Sequence, residues 1–160
     1  MTRKKPGNEI LRGAPGPADP TMLEEFLALS RILTGVEDLD RDLGKQYLER
    51  LAGSPEQPLI QQILERFRKF KEGESVAKRV KKEIVGDEKL RPAVCQMILL
   101  WFTSATFESE TPPIKLHYGN QEEYFSGIVW TLMGAHVPGL SGGYFGHWRY
   151  APENEPKRAK

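Results

Sequence analysis

Glu88-Lys-Leu-Arg-Pro-Ala-Val-Cys-Gln-Met-Ile-Leu-Leu-Trp-Phe-Thr-Ser-Ala-Thr-Phe107 is the stretch that decides the fold. Wound as a helix, it places Leu90, Val94, Met97, Ile98, Leu99, Leu100, Trp101 and Phe102 on nearly every side. A helix that is apolar all round needs neighbours all round, so the pattern predicts a central helix over about 88–107 in a helical bundle. Within it, Pro92 to Phe107 carries no charge. That run is shorter than the roughly 20 apolar residues of a membrane span, and it contains Gln96, Thr103 and Ser104. It reads as a buried helix, with no membrane insertion expected.

Upstream, amphipathic stripes supply the neighbours. Thr21-Met22-Leu23-Glu24 has the form of a capping box, and Phe26, Leu29, Ile32 and Leu33 follow at helical spacing until Gly35. Asp38 or Asp40 then caps a second helix bearing Leu43, Tyr47, Leu48 and Leu51, stopped by Gly53-Ser54-Pro55. Gly44 weakens that helix by about 1 kcal/mol relative to alanine, so packing must compensate. Leu59, Ile60, Ile63, Leu64, Phe67 and Phe70 form a third stripe ending near Gly73, and Ser75 opens a shorter helix through Val76, Val80 and Ile84. Downstream, Thr111-Pro112-Pro113 breaks the central helix and Ile114 to Tyr118 is compatible with extended chain. Asn120 caps a last helix carrying Tyr124, Ile128 and Leu132, which Pro138 ends. Strict two-residue alternation never persists, so the expected class is all-α, a single bundle of five or six helices.

Composition fits one soluble domain. A chain of 160 residues buries roughly 70% of the surface its unfolded form exposes, and a net charge of +1 creates no strong global field toward polyanions. The single cysteine, Cys95, excludes an internal disulfide and any CxxC or haem-attachment motif. Lying in the most apolar helix, Cys95 reads as a small core residue. Residues 1–19 are rich in Gly and Pro and read as a disordered leader; residues 20–136 form the helical domain, and 137–160 a C-terminal arm and tail.

The arm, Pro138-Gly-Leu-Ser-Gly-Gly-Tyr-Phe-Gly-His-Trp-Arg-Tyr-Ala-Pro152, alternates large aromatics with glycines. Four glycines make it entropically costly to order, while Tyr144, Phe145, Trp148 and Tyr150 carry more apolar area than a loop leaves in water. With Arg149, Leu140 and Pro138 they are the candidate partner-binding residues. Either the arm folds back on its own bundle or it lies on another protein. Tryptophan, tyrosine and arginine dominate interface hot spots, and Trp148-Arg149-Tyr150 presents all three consecutively.

Other chemistry finds little support. His117, His136 and His147 have no ligand set at helical spacing for a metal, and pairing His117 with Glu122 or Glu123 as acid and base has only proximity in sequence behind it. Gly142-Gly143-x-x-Gly146 neither follows a strand nor opens a helix, as a dinucleotide-binding turn requires. No catalytic, cofactor-binding or metal-ligating residue is therefore assigned. The basic run 66–82, with Arg66, Arg68, Lys69, Lys71, Lys78, Arg79, Lys81 and Lys82, supplies an alternative: a stand-alone helical module contacting nucleic acid or another acidic partner. Phe67, Phe70, Val76 and Val80 interleave these charges at helical spacing, which is the pattern of a solvated face, and nucleic acid is not the expected partner.

Phe26-Leu27-x-Leu29-Ser30-x-x-Leu33-Thr34-Gly35, then Leu39-Asp40 and Leu43-Gly44 leading into Tyr47, Leu48 and Leu51, give the chain a family likeness at its front. At the back the likeness rests on Tyr124 to Met133 and on Pro138, Gly142-Gly143, Phe145-Gly146, Trp148 and Pro152. In these residues the chain resembles the small, non-catalytic subunit of bacterial FAD-dependent sugar and polyol dehydrogenase complexes, of the sorbitol, fructose and glucose dehydrogenase type. It is more distantly similar to subunit 3 of gluconate 2-dehydrogenase. The resemblance implies a partner subunit that holds FAD, in some complexes a cytochrome c subunit with several haems, and for this chain a chaperone role with no cofactor of its own. It also implies export through a twin-arginine leader. None is seen, so a trimmed leader, a partner's signal and a cytoplasmic role all stay open. The arm lacks the cysteine some relatives carry there, which implies a non-covalent contact.

Overall fold

A computed structural model describes residues 20–70, 75–107 and 114–135. Helix α1 spans Pro20–Thr34. It begins one residue before the expected cap, because proline is suited to a first helical position where its missing N–H is not needed. Thr21 therefore lies inside the first turn, and the Glu24 carboxylate meets Arg41 at 2.9 Å. Gly35, at φ +71°, ends the helix in the left-handed conformation that glycine adopts freely. Of the two candidate caps for α2 (Arg41–Ala52), Asp40 is the one used: its Oδ1 accepts the Leu43 N–H at 2.8 Å.

Helix α3 (Gln57–Arg68) leads to α4 (Val76–Arg79), which continues as one π-helical turn over Val80–Val85. The wider turn closes where the Gly86 N–H reaches Lys81 O at 3.0 Å. Arg66 ties α3 to it, donating to the Glu83 carbonyl at 2.6 Å and to Asp87 Oδ2 at 2.9 Å. The Arg66 hydrogen bond, with help from the Lys89 N–H, holds the Asp87 carboxyl below the usual range.

The central helix, α5, covers Arg91–Thr103 and is shorter at both ends than the sequence suggested. A turn in which Leu90 N–H bonds Asp87 O delays its start. Ser104, at φ +56°, stops it. The remainder becomes strand β1 (Ala105–Phe107), paired antiparallel with β2 (Leu116–Tyr118) so that Ala105 faces Tyr118 and Phe107 faces Leu116. The buried Gln96 side chain imitates a strand partner for Phe107, donating to its carbonyl at 2.5 Å and accepting its N–H at 3.1 Å. The fold is all-α with this one small hairpin added.

Helix α5 packs against α1, α3, the π-helical turn, β1 and the last helix, as expected of a central element. It is not enclosed on every side. Arg91 and Cys95, one turn apart, are exposed. The reading of Cys95 as a core residue is therefore corrected: the neighbours cover the faces bearing Val94, Met97, Leu100 and Trp101 and leave this edge to solvent.

The expected last helix is two short ones, α6 (Gln121–Phe125), capped by Asn120 as predicted, and α7 (Ile128–Leu132). The break falls at Gly127, where a Cβ would stand 2.7 Å from the Phe102 carbonyl oxygen. The chain passes too close to the end of α5 there for any side chain. Gly134, at φ +63°, ends α7 before Pro138 is reached, with the Ala135 N–H turning back to Trp130 O at 2.8 Å.

Trp101 anchors the core, 1% exposed. Its ring stacks on Phe26 at 6.2 Å and takes Tyr47 edge-on at 5.1 Å. Gly44 explains itself here: a Cβ would lie 2.7 Å from Leu27 Cδ2 and 3.4 Å from Trp101 Cη2. Gly44→Ala gains about 1 kcal/mol of helix propensity but overpacks a site whose neighbours are both buried, at a cost of about 1–3 kcal/mol. The expected result is a lower urea midpoint with unchanged m-value; a raised midpoint would show that the close approach is not needed.

Candidate partner-binding surface

The arm residues singled out from sequence, Pro138, Leu140, Tyr144, Phe145, Trp148, Arg149 and Tyr150, lie outside the described residues. The structure describes the base from which the arm leaves, and that base is held by a polar clasp. Ser104, after its left-handed turn, accepts through its carbonyl from the Gly119 N–H at 2.8 Å and from Arg50 at 3.1 Å. Its hydroxyl donates to the Glu123 carbonyl. Because a carbonyl only accepts, the Ser104 proton is committed there, and Tyr47 must be the donor in its 2.6 Å contact with Ser104 Oγ. Burial pushes the Tyr47 phenol up to about 12, so it stays neutral and able to donate.

The charged half of the clasp joins Arg50 of α2 to Glu123 of α6. Asn120 fixes the carboxylate from the other side, donating to Glu123 Oε1 at 3.0 Å while its own oxygen accepts the Glu123 N–H at 2.9 Å. The Glu123 side chain is only 8% exposed, a burial that a carboxylate tolerates when paired and hydrogen-bonded. Gly119 is required: a Cβ there would fall 2.0 Å from Glu123 Oε2. These contacts leave Glu123 engaged with Arg50 and Asn120, so the drawn acid and base pair with His117 is not what its carboxylate serves.

Beyond the clasp, the hairpin projects an apolar row. Ile114, Leu116 and Tyr118 are 57%, 44% and 59% exposed, alternating with Lys115 and His117 along β2 and the two residues before it. Tyr118 meets Tyr124 edge-on at 6.3 Å, and Tyr124 meets Trp130 at 5.2 Å. Trp130 Nε1 donates to Tyr124 O at 2.9 Å. A shallow groove of about 430 Å³ runs along Tyr118, Gly119, Asn120, Gln121 and Tyr124. The aromatic series ends at the α7 terminus, beside Met133, also exposed, where the chain turns toward the arm. This surface combines exposed apolar side chains with a hydrogen-bonded polar base.

The basic run shows a different use of its charges. Arg68 forms a forked pair with Glu25 at 2.6 and 2.8 Å, and Arg66 serves Asp87. Arg79 pairs with Glu83 at 2.8 Å and lies 4.2 Å over the Phe70 ring. All three arginines are spent on intramolecular contacts. Among the described residues no cluster of His, Cys, Asp and Glu is arranged to hold a metal, and no helix is long and apolar enough to cross a membrane.

A protein-family model described as membrane bound FAD containing D-sorbitol dehydrogenase matches residues 8–114, which is 107 of the 160 residues. The match takes in α1 to α5 and β1, including the front residues Phe26 to Leu51, and stops before β2, α6, α7 and the arm. No curated protein matches the chain. Among the described residues the sheet is a two-stranded antiparallel hairpin, without the strand-to-helix glycine turn of a dinucleotide-binding fold. The buried polar atoms without partners, Ser30 Oγ and Trp101 Nε1, sit in the packed core rather than facing a groove. On the extent of the match, the chain belongs to the family of the membrane-bound, FAD-containing D-sorbitol dehydrogenase.

Proposed function

We propose that this chain is the small, non-catalytic subunit of an FAD-dependent sugar or polyol dehydrogenase complex, and that it binds the FAD-containing catalytic subunit and supports its maturation or stability. The observation that carries the reading is the uncovered row Ile114, Leu116 and Tyr118, joined through Tyr124 and Trp130 to the point where the arm departs. The row is one part of the proposed contact surface and the arm residues are the other. Burying two arm rings of about 150–250 Å² each, at about 25 cal/mol per Å², contributes several kcal/mol. Ordering the arm's backbone costs about 1–2 kcal/mol per residue. The balance favours binding when the base of the arm is already fixed, which the clasp through Arg50 and Glu123 provides. A subunit that binds only the folded, flavin-loaded partner stabilises that form by mass action.

The row is testable apart from the arm. Leu116→Ser with Tyr118→Ser removes exposed apolar area without touching the core, so the chain should fold normally and bind the FAD-containing subunit at least about ten-fold more weakly, as expected for a hot-spot loss of 1.4 kcal/mol or more. Unchanged affinity by titration calorimetry would remove the row from the contact surface.

A further inference from the structure

We infer that β2, α6 and α7, residues 114–135, open from the bundle as one unit whose closed position is set by polar contacts centred on the clasp more than by apolar packing. Among the described residues, every buried hydrophobic residue of the core lies between Leu23 and Ala105. From residues 114–135 only Ile128 and Leu132 pack against that core, both partly buried. The buried side chain this unit contributes is a charged one, Glu123.

Its side-chain bonds to the bundle converge on one place, while β2 is also paired to β1 through the backbone ladder and α7 rests on α5. Ser104 receives the Gly119 N–H and holds the Glu123 carbonyl, while Arg50 grips both Ser104 O and the Glu123 carboxylate. Strand β1, in contrast, is pinned separately to α5 by Gln96. A segment whose apolar side chains are at most partly buried, and which is held by the clasp and a three-residue ladder, has an opening free energy below that of the global fold. Since the chain toward the arm continues from α7, the clasp decides whether the base of the arm is presented in a fixed orientation or released. This holds whatever the arm binds.

Native-state hydrogen exchange on the isolated full chain tests it. In the wild type, the Gly119, Tyr124 and Ser126 amides should exchange through a common opening, at lower free energy than Val94 in α5 or Gly44 in α2. Glu123→Gln keeps the volume and removes the charge opposite Arg50. It should speed exchange of Gly119, Tyr124 and Ser126 by at least about ten-fold, while leaving Val94 and Gly44 within a factor of about two. Arg50→Lys, which keeps the charge and loses the fork, should give the same pattern more weakly. Should residues 114–135 and α5 share one opening free energy in the wild type, or lose protection equally in the variants, the separate unit does not exist.

Discussion

Trp101→Ala lowers the stability of the folded chain by about 3–5 kcal/mol, the range for deleting a large buried aromatic. The indole is 1% exposed and lies between Phe26 of α1 and Tyr47 of α2. Those helices cannot collapse into the space, because Gly44 already lets α2 approach Leu27 as closely as its backbone allows. Among the described residues the indole N–H has no partner, so the loss is one of packing. At about 2–4 °C per kcal/mol for a chain of this size, the melting temperature should fall by about 6–20 °C. Trp101→Phe, which also removes the unpartnered N–H, should cost distinctly less. A melting temperature shift of only about 2 °C for the alanine variant would mean that Trp101 does not anchor the core.

Much of this fold is legible in local sequence. The stripes of α1, α2 and α3 repeat at helical spacing, and the caps at Asp40 and Asn120 are one-residue signals with a fixed physical role. The misreadings arise where a neighbour overrides the local pattern. Ala105 to Phe107 is apolar enough to extend α5, but Ser104 turns left-handed to reach Tyr47 and Glu123, and Gln96 captures Phe107. Cys95 shares the composition of buried residues on α5 and faces solvent because the bundle covers the other faces. Gly127 looks like an ordinary weak point in a helix until the Phe102 carbonyl is found beside it.

The clasp was not readable at all. Tyr47 and Ser104 are 57 residues apart, and Arg50 and Glu123 are 73 apart, with no periodicity linking them. The only local trace is Gly119-Asn120 before Glu123, which reads as a helix cap and nothing more. The exposed row at Ile114 to Tyr118 does alternate in sequence, but three residues of alternation cannot distinguish a surface strand from a loop.

The largest functional effect is expected at the arm. Trp148 and Phe145 are the rings with the greatest apolar area in a segment otherwise rich in glycine, so truncating both removes most of what offsets the cost of ordering it. Hot-spot aromatics cost about 2–4 kcal/mol each when replaced by alanine, and a loss of that size corresponds to a weakening of about 30-fold to 1,000-fold. An arm that lies on the partner and not on its own bundle leaves the melting temperature of the isolated double variant near that of the wild type; a large drop would place these rings in the chain's own core. The most direct measurement is co-purification of the FAD-containing subunit, with its flavin content, on the wild-type chain and on Trp148→Ala with Phe145→Ala. The expected result is a flavin-loaded partner retained by the wild type and lost, or retained without its flavin, by the double variant. Equal retention and equal flavin content on both would contradict the arm as the place where this subunit holds its enzyme.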